Sequence, residues 1–228
     1  MNILALDTSM GACSAALLCA TDDARALHAR QDEMQRGHAE ALMPMVAEIL
    51  AEAGVTPHDL DVIAATLGPG SFTGVRIAIA AARGLALVTG ARLYGTDSLS
   101  VMARMAVLAS TPGGPFAVAV DARRGMLYFG LYDDAGETLD GPLLVAPDDA
   151  VQHLPDTLSV AVGSGAQLLA DAAAAHNRQV EPALAALQPS AMALADIARE
   201  SGESSALFRP LYLRPPDAKP QAQAIGRL

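Results

Sequence analysis

Tryptophan is absent from this chain of 228 residues, and aromatic side chains make up only 4% of it. Ala, Leu, Val and Met must therefore fill the core, which favours close helix packing over large ligand cages. Lysine is almost missing too: Lys219 is the sole example, the arginines are dispersed, and the net charge is −10. That balance argues against unaided binding to nucleic acid, because phosphate contacts need clustered Lys and Arg. If a nucleic acid is involved, another subunit holds it.

Targeting signals are also lacking. Met1-Asn2 leads directly into Ile3-Leu4-Ala5-Leu6-Asp7, with no basic leader and no small-residue cleavage site. The longest apolar stretches are broken by Arg or Gly short of the roughly 18 residues that a membrane span needs. Cys13 and Cys19 are the only cysteines. In one extended strand they stand roughly 20 Å apart at ~3.3 Å per residue, far beyond disulfide reach. The expected setting is the cytoplasm, with both thiols as small hydrophobes.

Apolar residues are plentiful, at 52%. This excludes global disorder and allows one large domain or two small lobes. Short alternating runs predict strands near 3–8, 12–19 and 25–31. Leu42, Val46, Ile49 and Leu50 recur at helical spacing, predicting a helix over 37–53 that stops at Gly54. Pro44 inside it predicts a kink or a late start. A strand near 61–67 then enters a glycine-rich loop, and a second helix follows over 74–88.

After the breaker cluster Ser110-Thr-Pro-Gly-Gly-Pro115 the order restarts. Val118-Ala-Val-Asp121 echoes Leu4-Ala-Leu-Asp7, and Gly125 follows Asp121 at the spacing by which Gly11 follows Asp7. Later, Val162-Gly163-Ser-Gly165 echoes Leu67-Gly68-Pro-Gly70. The second interval is shorter, as if one long helix had been lost. Strand, turn, strand, third strand, crossover helix, strand, Gly-x-Gly and helix, stated twice, is the plan of the actin-like ATPase (ASKHA) fold. The expected class is α/β, with a first lobe at 1–110, a second, reduced lobe at 111–205 and an extended tail at 206–228.

The sharpest local feature is Leu67-Gly-Pro-Gly-Ser-Phe-Thr-Gly-Val-Arg76. Its glycines before a helix can serve an anion site or simply a tight turn that lets strand and helix approach closely. Gly68-x-Gly70-x-x-x-Gly74 is one residue longer than the dinucleotide pattern, and no Gly-Lys-Ser/Thr occurs. The helix Val75–Val88, apolar nearly all round, is either core on every side or shared with a partner. No Ser-His-acid set emerges, and no two histidines share a helix face at metal-ligand spacing.

The string LGPGSFTGVRIA, the opening ILALDTS, Gly37-His-Ala-Glu-Ala-Leu-Met-Pro44, Asp121-Ala-Arg-Arg124 and Pro210-Leu-Tyr-Leu-Arg214 resemble, in order, the TsaB family, also called YeaZ. The resemblance implies a non-catalytic subunit that binds and activates TsaD in transferring a threonylcarbamoyl group to adenosine in the tRNA anticodon loop. It also implies TsaE docking on the pair, a homodimer when alone, and tRNA contact only through the complex. TsaD-like proteins carry a His-x-x-x-His metal pair where this chain has Asp97 and Val101, so no metal is expected. No cofactor is expected either, save ATP or ADP contact in the complex. Candidates for that contact are Asp7, Thr8, Gly68, Gly70, Ser71, Thr73, Gly74 and Asp121. Candidates for the partner interface are His38, Leu42, Met43, Val46, Ile49, Val75 and Ile79. The rival reading is an autonomous actin-like ATPase or small-molecule kinase, with Asp7 and Asp121 at the phosphates.

Overall fold

The structure is a computed structural model that describes residues 1–21, 24–111, 113–201 and 207–214. The alternating amino-terminal segment folds as a meander of β1 (Asn2–Asp7), β2 (Ala12–Ala20) and β3 (Arg25–Glu33), each antiparallel to the one before. β4 (Val62–Thr66) pairs parallel with β1, and β5 (Arg92–Thr96) parallel with β4, giving the order β3-β2-β1-β4-β5. Parallel neighbours need crossovers. α1 (His38–Ala53) and α2 (Phe72–Thr89) supply them. α1 starts at His38 and continues through Pro44 to Gly54, so the late start expected from the proline does not occur. Pro44 and Glu40 both lie on the exposed side of the helix, where the carbonyl deprived of its donor can meet water.

The second half repeats the topology. β6 (Phe116–Asp121), β7 (Leu127–Tyr132), β8 (Thr138–Val145), β9 (Val160–Val162) and β10 (Glu181–Ala183) take the order β10-β9-β6-β7-β8. Counted from each half's first strand, this is the same arrangement as in the first sheet. The crossover that the sequence suggested was lost is instead cut down. α4 (Pro147–Val151), of 5 residues, stands where α1 has 16, and α5 (Ala166–Ala175), of 10 residues, stands where α2 has 18.

Each half ends in a helix that covers the other half's sheet. α3 (Ser98–Leu108) follows β5 and packs its Leu99, Met102, Ala103 and Ala106 on Phe116, Val118, Val120 and Tyr132 of the second sheet. α6 (Ala191–Ser201) packs Leu194, Ala195 and Ala198 on Ile3, Ala5, Ala16, Leu18 and Ala64 of the first. Strand alternation makes this possible, since Leu4 and Leu6 face α1 and α2 while Ile3 and Ala5 face α6. The layers are α1 and α2, first sheet, α6 with α3, second sheet, α4 and α5. A cut at residue 110 therefore separates each sheet from one of its helices.

α2 keeps the Arg76, Arg83 and Gly84 that break its apolar run. By length and composition it is apolar enough to cross a membrane. It is also the crossover between β4 and β5, with Val75, Ala78, Ile79 and Ala82 buried on its inner side. Of the tail, Leu207–Arg214 is described: Phe208 and Leu211 pack beside Val75 and Ile79, and Leu211 N–H donates to the Leu67 carbonyl at 2.6 Å. The expected extended course past residue 214 lies outside the described residues.

Because α6 closes the first sheet, Leu194→Ala should destabilise the protein by about 2–5 kcal/mol, the usual range for truncating a fully buried Leu. Urea denaturation followed by circular dichroism measures it, and a loss below about 1 kcal/mol would mean that α6 does not close the core.

Candidate functional site

Asp7 ends β1 at the turn where an actin-like ATPase would hold phosphate, and it is buried, with 1% of its surface exposed. Its carboxyl accepts from the Ser9 hydroxyl at 2.7 Å, the Thr66 hydroxyl at 2.8 Å and the Ser9 backbone N–H at 3.2 Å. The Ser98 hydroxyl donates to Ser9 Oγ at 3.0 Å, extending the chain of hydrogen bonds to the start of α3. Burial outweighs these donors and pushes the carboxyl up to about 6. Sequence reasoning named Asp7 and missed Ser9, Thr66 and Ser98. No local pattern links the last two to Asp7; only the parallel pairing of β1 with β4, and α3 lying over it, bring them there.

The glycine loop leans on this turn backbone to backbone. Ser71 N–H donates to the Ser9 carbonyl at 2.7 Å, and the Thr8 hydroxyl donates to the Gly74 carbonyl at 2.6 Å. A Cβ on Gly70 would lie 2.2 Å from the Ser9 carbonyl oxygen, and one on Gly74 2.0 Å from that of Thr8. Ser71 caps α2, its hydroxyl accepting from Gly74 N–H at 2.9 Å. Of the two meanings left open for this loop, its geometry is that of a tight approach between turn and helix. Gly68 is buried, Leu211 covers it from the tail, and Thr73 is exposed on the first turn of α2. Of the candidate nucleotide contacts, Asp7 is hydrogen-bonded to Ser9 and Thr66, Thr8 to Gly74, and Ser71 to Gly74 and Ser9.

The second half repeats the contact in weaker form. Gly165 N–H donates to the Ala119 carbonyl at 2.9 Å, and a Cβ on Gly165 would meet the backbone of Val120 and Asp121 at 3.0 Å. Asp121 is partly exposed and accepts from the Arg123 backbone N–H at 2.7 Å, closing its own turn. At the positions where the resemblance would place metal-binding histidines, Asp97 caps α3 by accepting from Ser100 N–H at 2.9 Å, and Val101 is fully buried.

The expected partner residues divide sharply. Leu42, Val46, Ile49, Val75 and Ile79 are 0–3% exposed within the chain's own core, so they cannot face a partner. This corrects the interface list. A helix lying on a sheet turns its largest apolar side chains inward, and periodicity alone does not say which neighbour they meet. His38 is buried as well, its Nε2 3.2 Å from the Met10 carbonyl. Met43 alone among them is exposed, at 43%. Around it an outer face runs along α1 through Ala39, Met43, Ala47 and Ala51, and along α2 through Phe72, Arg76, Ala80, Gly84 and Leu87. Both stripes keep i, i+3 or i, i+4 spacing, beside the buried set. That offset was the sequence signal available for them.

At the tail end of this face the Arg76 guanidinium lies 3.6 Å from the Phe72 ring centre and donates to the Tyr212 hydroxyl at 2.6 Å. The Tyr212 ring stacks on Phe72 with centres 5.3 Å apart.

Two duplicated sheets with exchanged helices and paired Gly-x-Gly turns define a two-lobed protein of the actin-like class. Residues 29–195 match the family described as TsaD, tRNA N6-adenosine threonylcarbamoyltransferase. The Haemophilus influenzae tRNA threonylcarbamoyladenosine biosynthesis protein TsaB is 32% identical over 176 residues, 72% of each chain. The Escherichia coli protein of that name is 39% identical over 132 residues, 58% of this chain and 55% of its own. The solved structure of YeaZ from Pseudomonas aeruginosa matches with a TM-score of 0.74 at 31% identity, covering 93% of this chain and 99% of that one. The chain belongs to the TsaB (YeaZ) family.

Two outcomes follow from the geometry of the turn. With Asp7 near 6 in the fold against 3.8 when free, the unfolded chain ionises first as pH rises. Its contribution is therefore complete below pH 3.8, falls between there and about 6, and is flat above. Relative to Asp7→Asn, the wild type should lose about 3 kcal/mol across that window. Equal slopes for the two proteins in pH-dependent denaturation would contradict the buried carboxyl. Separately, Gly74→Ala should cost about 1–3 kcal/mol, because backbone oxygen blocks the new methyl, whereas Gly84→Ala, where nothing lies within 4 Å, should not destabilise. Thermal melts of the two variants make the comparison.

Proposed function

We propose that this chain is the non-catalytic subunit that binds and activates TsaD in forming threonylcarbamoyladenosine on tRNA, and that it docks through the outer faces of α1 and α2. The observation that carries this is the apolar and small-residue stripe on the two helices, which lie side by side on one sheet and leave Met43, Phe72, Leu87 and Val88 exposed, Leu87 at 89%. Small residues such as Ala47, Ala80 and Gly84 let a second pair of helices approach closely, and an exposed patch of this kind marks an interaction surface. When alone, the chain covers this face by two-fold self-association, and TsaD displaces one copy. TsaE docks on the heterodimer, and the partners hold the tRNA, in keeping with the net charge of −10 here. Support for a non-catalytic role comes from Asp97 and Val101, one a helix cap and the other core, in place of metal-binding histidines.

The rival reading, an autonomous ATPase or kinase, is disfavoured by Asp7, whose oxygens are enclosed by Ser9 and Thr66. Purified protein should turn over no ATP above background; turnover abolished by Asp7→Asn would promote the kinase.

Met43→Glu and Ala80→Glu place a charge on the docking face without touching the core. Each should weaken both the homodimer and the TsaD complex at least tenfold, about 1.4 kcal/mol, with the thermal midpoint unchanged. Size-exclusion chromatography and pull-down with TsaD read the two assemblies. Folded variants that bind TsaD as the wild type does would place the interface elsewhere.

A further inference from the structure

Phe72 and Tyr212 are exposed at 45% and 42%, yet both rings are engaged. They stack with centres 5.3 Å apart, although one opens α2 and the other belongs to the tail. Together they hold Arg76. Its Cζ lies 3.6 Å from the Phe72 ring centre and 5.5 Å from that of Tyr212, and its Nε donates to the Tyr212 hydroxyl at 2.6 Å. Ring contact and hydrogen bond fix the guanidinium in place. Among the described residues its two terminal nitrogens donate to no acceptor, and the residue is exposed. The tail that supplies Tyr212 is itself seated on α2. Arg83 donates to the Phe208 carbonyl, and Phe208 and Leu211 pack beside Val75 and Ile79.

An arginine free in water loses rotamer entropy when a partner fixes it. Arg76 has already lost much of it to the two rings, so a partner gains its hydrogen bonds at lower cost. Arginine and tyrosine are also the residue types that most often carry the binding energy of protein interfaces. α2 contains no Asp or Glu, and Arg76 and Arg83 are its only charged residues. Arg83 is committed to the tail. The group complementary to Arg76 is a carboxylate, which accepts end-on from both terminal nitrogens. A nucleic-acid phosphate fits less well, since one such cation on a chain of net charge −10 holds a polyanion poorly.

We infer that Arg76 is the charged anchor of the docking face and receives an Asp or Glu carboxylate of TsaD, and that Tyr212 positions it, which makes the tail a part of that face. The inference rests on the reading of α1 and α2 as the TsaD surface.

The test is titration calorimetry of the full chain with purified TsaD at about 50 and about 300 mM salt, with circular dichroism of every variant. Wild-type affinity should fall as salt screens the pair. Arg76→Gln should bind about tenfold or more weakly at low salt and show a shallower salt dependence. Tyr212→Ala should weaken binding too, but add nothing in the Arg76→Gln background, because it acts through the arginine. Should Arg76→Gln fail to fold, Arg76→Lys decides, weakening binding about threefold or more for want of the planar fork. A folded variant at position 76 that binds as the wild type does would overturn the assignment. So would an unchanged salt dependence in Arg76→Gln, or a full separate cost of Tyr212→Ala in the double variant. Binding of tRNA by the chain alone, abolished by Arg76→Gln, would overturn it in favour of a phosphate contact. Met43→Glu keeps the two readings apart. If it weakens TsaD binding and Arg76→Gln does not, the anchor fails and the docking face stands; if neither does, the face itself is misplaced.

Discussion

The arrangement of the first half depends on one backbone contact, the seating of the glycine loop on the turn after β1. Gly70 and Gly74 stand so near the carbonyls of Ser9 and Thr8 that no side chain fits between them. The contact fixes the start of α2 relative to β1, and through it the angle at which α2 crosses the sheet. It also encloses Asp7, whose carboxyl accepts hydrogen bonds from Ser9 and Thr66. The tail adds a clasp from outside, with Leu211 bonded to Leu67 and Tyr212 stacked on Phe72. The loop that most resembles a phosphate cradle thus acts as a joint between strand, helix and tail.

That joint has a functional consequence in the proposed role. A subunit that presents two helices to a partner must hold them rigidly, since freedom left in the helices would have to be lost on binding. α1 is held by Leu42, Val46 and Ile49 against the sheet, and α2 by Val75 and Ile79 together with the glycine contact. The residues that hold the helices and the residues that face outward occupy opposite sides of the same turns, so the proposed docking surface is compatible with a complete core. The exchange of α3 and α6 between the halves carries the principle further. Each sheet is closed by a helix from the other half, so each half's core is completed by the other despite their duplicated plan.

Much of this was legible in the chain. The duplication showed in Asp7 and Asp121, in the glycines that follow them, and in the paired Gly-x-Gly loops, because turn chemistry is local. Strand and helix positions followed from spacing for the same reason. The interface was misplaced because Leu42, Val46, Ile49, Val75 and Ile79 carry the strongest apolar signal on their helices, and a sheet inside the same chain satisfies that signal before any partner can. Apart from Met43, the stripe through Ala47, Ala80 and Gly84 is made of small residues with little individual weight, so hydropathy passes over it. The shortened second half was read as a missing helix, since sequence distance counts residues and cannot say that five of them still form α4.

By itself the sequence determined the order of elements, the two-fold repetition and the family, all of which rest on residues close together in the chain. Only the tertiary structure decided which face of each helix is core, where α3 and α6 pack, and that the carboxyl of Asp7 is enclosed. These features join residues far apart in sequence through sheet pairing and helix exchange, and burial is a property of the neighbours brought together, which no single segment carries.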